Sequence, residues 1–104
     1  MKTSLLGAAA LMTALAFSPA HADESDPSAC GAVLCLAGEL LGSSGGENCS
    51  EYESQYFSIV RYHHGHMDLG PTSNARMAFL NQCQDGDDQT KHAVNDRYGT
   101  SWGL

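Results

Sequence analysis

Asp26-Pro27-Ser28-Ala29-Cys30-Gly31-Ala32-Val33-Leu34-Cys35-Leu36-Ala37-Gly38-Glu39-Leu40-Leu41-Gly42 is the stretch on which the fold of this chain turns. Asp26 followed by Pro27 reads as a helix N-cap with proline at the first helical position. Gly42 is a natural residue to end such a helix. From Pro27 to Leu41, ten of fifteen residues are apolar, and Ser28 and Glu39 are the clearly polar side chains. A helix apolar nearly all round is normally surrounded by other elements, so this one is predicted to be central. The alternative is that one of its faces docks a partner.

Two of the four cysteines of the chain, Cys30 and Cys35, lie on this helix; the others are Cys49 and Cys83. Five residues apart, Cys30 and Cys35 are separated by about 140° around the helix axis and should not pair with each other. Each is expected to reach another segment, one Cys49 and the other Cys83. The nested order, Cys35 with Cys49 and Cys30 with Cys83, needs the shorter reach across the glycine loop and is favoured; the crossed order stays open. A redox role would want Cys-x-x-Cys or a resolving neighbour, and neither is present.

Ahead of the helix, Lys2, the uncharged apolar run Leu5–Phe17 and the small-x-small pattern Ala20-His21-Ala22 read as a signal peptide over residues 1–22. The expected mature domain then spans 23–104, and an even cysteine count in a short exported chain reads as a disulfide framework. Leu5–Phe17 is short for a spanning helix, and Cys30 stands too far beyond it for lipoprotein acylation. The predicted product is an exported protein with no stable membrane insertion after cleavage.

Cleavage leaves Arg61, Arg76, Lys91 and Arg97 against all 12 acidic residues, a net charge of −8 with neutral histidines. That balance excludes nucleic acid as a partner, whose binding rests on clustered Lys and Arg, and opposes anionic lipid.

Downstream, Gly42-Ser43-Ser44-Gly45-Gly46 is a flexible connector without the Gly-Lys-Ser/Thr ending of a phosphate loop. Asn48-Cys49-Ser50 matches a glycosylation sequon only formally, given the cysteine at its centre. Ser50-Glu51-Tyr52-Glu53 fits a capping box, with Ser50 as N-cap and Glu53 reaching back. Tyr52, Tyr56, Ile59, Val60 and His63 follow at helical spacing, so a second helix is predicted to run until Gly65. Core packing is the main reading of that aromatic stripe. A third helix, capped by Thr72 or Ser73, carries Ala75, Phe79 and Cys83 at i, i+4, i+8. After an acidic break, 85–88, a short last helix over Thr90–Tyr98 is expected to stop at Gly99, with Trp102 folding back as an apolar clip. No period-2 stretch suggests a sheet. The predicted fold is mainly α: a small single domain of three to four short helices stapled by two disulfides.

Chemistry is sparse. There is no Gly-x-Ser-x-Gly elbow, no His-Glu-x-x-His and no poised carboxylate pair, so no catalytic residue, cofactor or enzyme activity is expected. His63-His64-Gly65-His66 is the one constellation of interest. Three imidazoles in four residues, with Asp68 nearby, suit zinc or copper, but structural zinc sites draw ligands from two segments. Metal binding through His63, His64 and His66 is therefore the alternative reading; isolated His92 is read as a surface residue.

The run Asp26-Pro27…Cys30-Gly31-Ala32-Val33-Leu34-Cys35-Leu36-Ala37-Gly38 resembles the opening motif of the TrbM/KikA family of conjugal transfer proteins. The likeness continues through Gly42 to Cys49, Tyr56-Phe57-Ser58-Ile59 and His64-Gly65-His66. It resumes at Thr72, Ala75-Arg76, Phe79-Leu80, Gln82-Cys83 and Asn95-Asp96-Arg97-Tyr98-Gly99. The resemblance implies a periplasmic accessory of mating pair formation, the type IV secretion apparatus of plasmid transfer, with protein components of that envelope machinery as partners. It transfers no catalytic residue. Tyr52, Tyr56 and the turn bearing His63, His64 and His66 are the candidate partner-binding residues.

Overall fold

The computed structural model describes residues 26–43, 46 and 48–104; the expected signal peptide, residues 1–22, lies outside them. Helix α1 spans Pro27–Leu40, α2 Cys49–Phe57, α3 Leu69–Leu80 and α4 Asp88–Tyr98, with a minimal hairpin, β1 Tyr62–His63 and β2 His66–Met67, between α2 and α3. The fold is mainly α, as expected.

α1 begins as its sequence dictates. Asp26 is extended (φ −82°, ψ 118°) and its side chain accepts from the Ser28 N–H at 2.9 Å, while Pro27 fills the first helical turn. Gly42 ends the segment at φ +83°, a conformation that costs glycine little. α1 packs against each of the other three helices. Ala29, Ala32, Val33 and Leu36 meet Tyr56, Leu80, Val94 and Tyr98 in the core. Gly31 lets α2 approach, because a Cβ there would overlap the Tyr52 ring. The expectation that α1 is surrounded holds for one side only: Leu34 and Leu41 are 74% and 86% exposed.

Two disulfides staple this core. Cys30 is bonded to Cys83 and Cys35 to Cys49, the nested order, with Cα–Cα distances of 4.7 and 5.5 Å. The first joins the opening turn of α1 to the residue chain just beyond α3, where the Asp26 N–H also donates to the Gln82 carbonyl at 3.0 Å.

Several local expectations are corrected. The capping box at Ser50 does not form: Cys49, held by Cys35, is already helical, and Asn48 precedes it at φ 67° without a side-chain cap. Glu53 turns inward instead. α2 stops at Phe57 rather than running to Gly65, and the chain enters the hairpin, so the expectation of no sheet fails over four residues. Tyr62 pairs with Met67 and His63 with His66. His64 (φ 52°) and Gly65 (φ 80°) both have the positive φ that a two-residue type I′ turn requires. α3 begins at Leu69 after Asp68, so Thr72 and Ser73 lie inside the helix, not at its cap, and Cys83 lies past its end. Trp102 stays 65% exposed, its ring 6.5 Å from that of Tyr62, and is no clip into the core. α4 ends at Tyr98, its expected stop, with Gly99 following in helical conformation (φ −61°, ψ −20°), where a Cβ would collide with the Asn95 carbonyl. It starts two residues earlier than predicted, because Asp87 caps it by accepting from the Thr90 N–H.

Candidate functional site

The hairpin owes its position to α3. The hydroxyl of Thr72, fully buried, accepts from the Arg61 N–H at 2.9 Å and donates to the Arg61 carbonyl at 3.2 Å. One turn further on, Arg76 is also fully buried. Its Nε donates to the Ile59 carbonyl (2.9 Å), Nη2 to Phe57 (3.1 Å), and Nη1 to Tyr98 (2.9 Å) and Ser101 (2.6 Å). A single guanidinium thus gathers the carbonyl ends of α2 and α4, where helix dipoles concentrate negative potential. Its carbon lies 5.2 Å from the centroids of both the Tyr56 and Phe57 rings. Burial pulls the Arg76 pKa below its ordinary value, with the Tyr56 oxygen opposing that shift.

Tyr56 is therefore a core residue and not a presented one. Its hydroxyl donates to Asn95 Oδ1 at 2.6 Å, and the Asn95 amide donates to the carbonyl and hydroxyl of Ser73, each at 3.0 Å. Burial raises the Tyr56 pKa well above the usual phenol range, against the pull of Arg76. Tyr52 is half-buried across Gly31. Buried Tyr56 is not part of the exposed surface of the hairpin.

His63, His64 and His66 are exposed at the hairpin tip, with the His63 and His64 ring centroids 4.0 Å apart. Beside them lie Tyr62, 63% exposed, and Trp102. The hairpin is the first candidate surface, with His63 and His66 on one face and Tyr62, beside Trp102, on the other; the sequence located its histidines but missed Tyr62 and reversed the role of Trp102. Among the described residues, no three His, Cys, Asp or Glu side chains converge to hold a metal ion, so the metal-binding alternative has no geometric support. His92 is exposed on α4.

A second surface lies along α1. Leu34, Ala37 and Leu41 share one stripe at i, i+3, i+7. Two open cavities flank it, of about 320 Å³ beside Ala37, Leu40 and Leu41 and about 270 Å³ beside Val33 and Leu34. The apolar excess of the α1 sequence was the signal for it.

A carboxyl pair sits between α1 and α2. Glu53 is 8% exposed, and among the described residues its Oε2 has no hydrogen-bond partner. Desolvation, the charge of Glu39 and a hydrogen bond with the Glu39 side chain, in that order, raise its pKa above the ordinary carboxylate value. The fold therefore binds a proton at Glu53 more tightly than the unfolded chain does. The contribution of Glu53 to stability is full below the unfolded pKa and is lost as pH rises through the raised folded one. Glu53→Gln is expected to raise the melting temperature at pH 7.5 by a few degrees and to flatten this dependence, read by thermal melts between pH 4 and 8. A melt unchanged at pH 7.5 would refute the assignment.

No helix among the described residues is long and apolar enough to cross a membrane. Comparison with curated proteins and with solved structures gives no significant match. The family profile of TrbM matches residues 25–98, which takes in all four helices, the hairpin and both disulfides, and so the chain belongs to the TrbM family, proteins of conjugal transfer.

Proposed function

We propose that residues 23–104 are the exported form of this protein and act in the periplasm as a disulfide-rigidified adaptor in mating pair formation by a type IV secretion apparatus. It works through protein–protein contacts, without catalysis or a cofactor. The observation that carries this reading is the family match across the whole stapled domain. Two further features support it. The polar residues that the family likeness picks out, Thr72, Arg76 and Asn95, are spent on holding the fold together. The exposed aromatic and apolar side chains lie instead on the hairpin face and on α1.

The test is plasmid transfer frequency from a donor lacking this gene, complemented in trans. A fall restored by the wild-type protein supports the reading, and unchanged transfer in the deletion strain refutes it. Replacing His63, His64 and His66 with alanine removes three exposed imidazoles that brace nothing in the core. The triple variant is expected to keep its melting temperature within about 2 °C, as surface substitutions do, and to lower transfer at least tenfold. Full complementation by the folded variant would remove the hairpin from the interaction surface.

A further inference from the structure

The α1 stripe pairs its apolar surface with charge of one sign. Leu34 and Leu41 are among the most exposed large apolar side chains of the described residues. The cavity beside Leu34 is also lined by Asp85 and Gly86, and the cavity beside Leu41 by Asp87 and Thr90. The rim is thus supplied by the acidic 85–88 segment, the part of the chain that joins α3 to α4. Lys91 lies 3.9 Å from Asp88 and offsets it, yet Lys91 is itself almost wholly buried. Asp85 and Asp87 remain as the charges of the rim.

The floor is fixed in shape. Cys30–Cys83 ties the start of α1 to the start of the acidic segment, and Asp87 is held as the N-cap of α4. Two preformed cavities set along one helix need little ordering on binding, which favours affinity. The period of the stripe suits a helix: anchors at i, i+3 and i+7 on α1 match the same spacing on a partner laid alongside.

We infer that the groove formed by Leu34, Ala37 and Leu41 of α1 with Asp85 and Asp87 is a docking site for a basic amphipathic helix of another protein, leucine-type anchors entering the cavities and Lys or Arg meeting the acidic rim. The inference deepens the proposed function and rests on it for the biological setting, since it names the chemistry of the protein partner. Charge decides among occupants. A second copy of this chain would bring one acidic rim against another, and an anionic lipid surface would be repelled by the same carboxylates.

The experiment uses the full chain as exported and purified, with a fluorescent synthetic peptide of about 18 residues, roughly 27 Å as a helix and long enough to cover α1. The peptide carries leucines at i, i+3 and i+7 flanked by lysines; a control carries glutamates at the lysine positions. The lysine peptide is expected to bind in the micromolar range, at least tenfold more tightly than the glutamate peptide, and to weaken several-fold between about 50 and 300 mM salt. The double variant Leu34→Ser/Leu41→Ser, which alters only exposed side chains, is expected to lose binding at least tenfold while keeping its melting temperature. Equal binding by the variant, or equal binding of both peptides, overturns the site. So does a concentration-dependent dimer that the variant abolishes, or leucine-dependent binding to phosphatidylglycerol vesicles. Transfer assays separate the two readings. If deletion lowers transfer and the double variant restores it fully, the groove falls and the conjugation reading stands. If deletion leaves transfer unchanged, the conjugation reading falls and the peptide result alone decides the groove.

Discussion

Replacing Arg76 with alanine is expected to abolish cooperative folding at 37 °C. The guanidinium serves four backbone carbonyls from two separate chain ends, Phe57 and Ile59 after α2, Tyr98 and Ser101 after α4. Hydrogen bonds to a charged group contribute about 1.5–3 kcal/mol each, and removing the donor leaves buried acceptors without partners. Even a heavily discounted total of about 4 kcal/mol is a large fraction of the stability of a domain near 80 residues, on the order of 4–12 kcal/mol. At about 4–8 °C per kcal/mol for a domain of this size, the melting temperature should fall by roughly 20 °C or more. Arg76→Lys keeps the charge but not the planar fork that divides itself among four acceptors, so it is expected to recover less than half of the loss. Thermal unfolding followed by far-ultraviolet circular dichroism decides the matter. A fall of less than 5 °C for Arg76→Ala would show that the carbonyls find other partners and that the guanidinium is not the clasp of the fold.

The same residue explains where sequence reading succeeded and where it stopped. α1 was legible end to end because its signals are local: Asp26 and Pro27 at one end, Gly42 at the other, and an apolar run between them. The end of α2 was not legible. Tyr52, Tyr56, Ile59, Val60 and His63 keep helical spacing past Phe57, but the carbonyls of Phe57 and Ile59 are claimed by Arg76, and Arg61 is claimed by Thr72. Those partners are 11–19 residues away. No periodicity within the segment reports them. The one local clue was Gly65, read as a helix stop when it is the second turn residue of a hairpin. The capping box failed for a similar reason: a disulfide to α1 holds Cys49 inside the helix and Glu53 turns toward Glu39.

The candidate surfaces divide along the same line. The histidines were visible because three imidazoles in four residues are conspicuous in any chain. The aromatic neighbours were not, because Tyr62 and Trp102 come together only when Arg76 draws the Ser101 carbonyl inward and Thr72 fixes Arg61 beside the hairpin. Tyr56 follows the core-packing reading of its stripe and not the partner-binding role suggested beside the family resemblance, its hydroxyl being used to bind Asn95 within the fold. The family-like residues Thr72, Arg76, Asn95, Tyr98 and Gly99 are therefore mostly a recipe for the scaffold. Function on such a scaffold is carried by what remains exposed, which is why the tests above are aimed at the hairpin and at Leu34 and Leu41.

Removing the Cys30–Cys83 bond is expected to cost more than removing Cys35–Cys49, although either loss is severe. The two bonds close chain segments of 53 and 14 residues' separation. In the chain-entropy account, the longer closure restricts the unfolded chain by about 4 kcal/mol and the shorter by about 3 kcal/mol. Native contacts widen the difference. Cys83 is buried against the core cluster, and the bond at its sulfur fixes both the Asp26–Gln82 junction and the floor of the α1 groove. Cys49 is pinned near Glu53, whose buried carboxyl already opposes the packing of α2 on α1, so release there relieves part of its own cost. Cys30→Ala/Cys83→Ala should thus be unfolded or close to it at 37 °C, while Cys35→Ala/Cys49→Ala should still unfold cooperatively, with a midpoint lowered by roughly 12–20 °C. Urea titration of both double variants, each purified with its remaining disulfide intact, measures the order. If Cys35→Ala/Cys49→Ala proves the less stable of the two, the connector between α1 and α2 contributes more to the fold than its length allows.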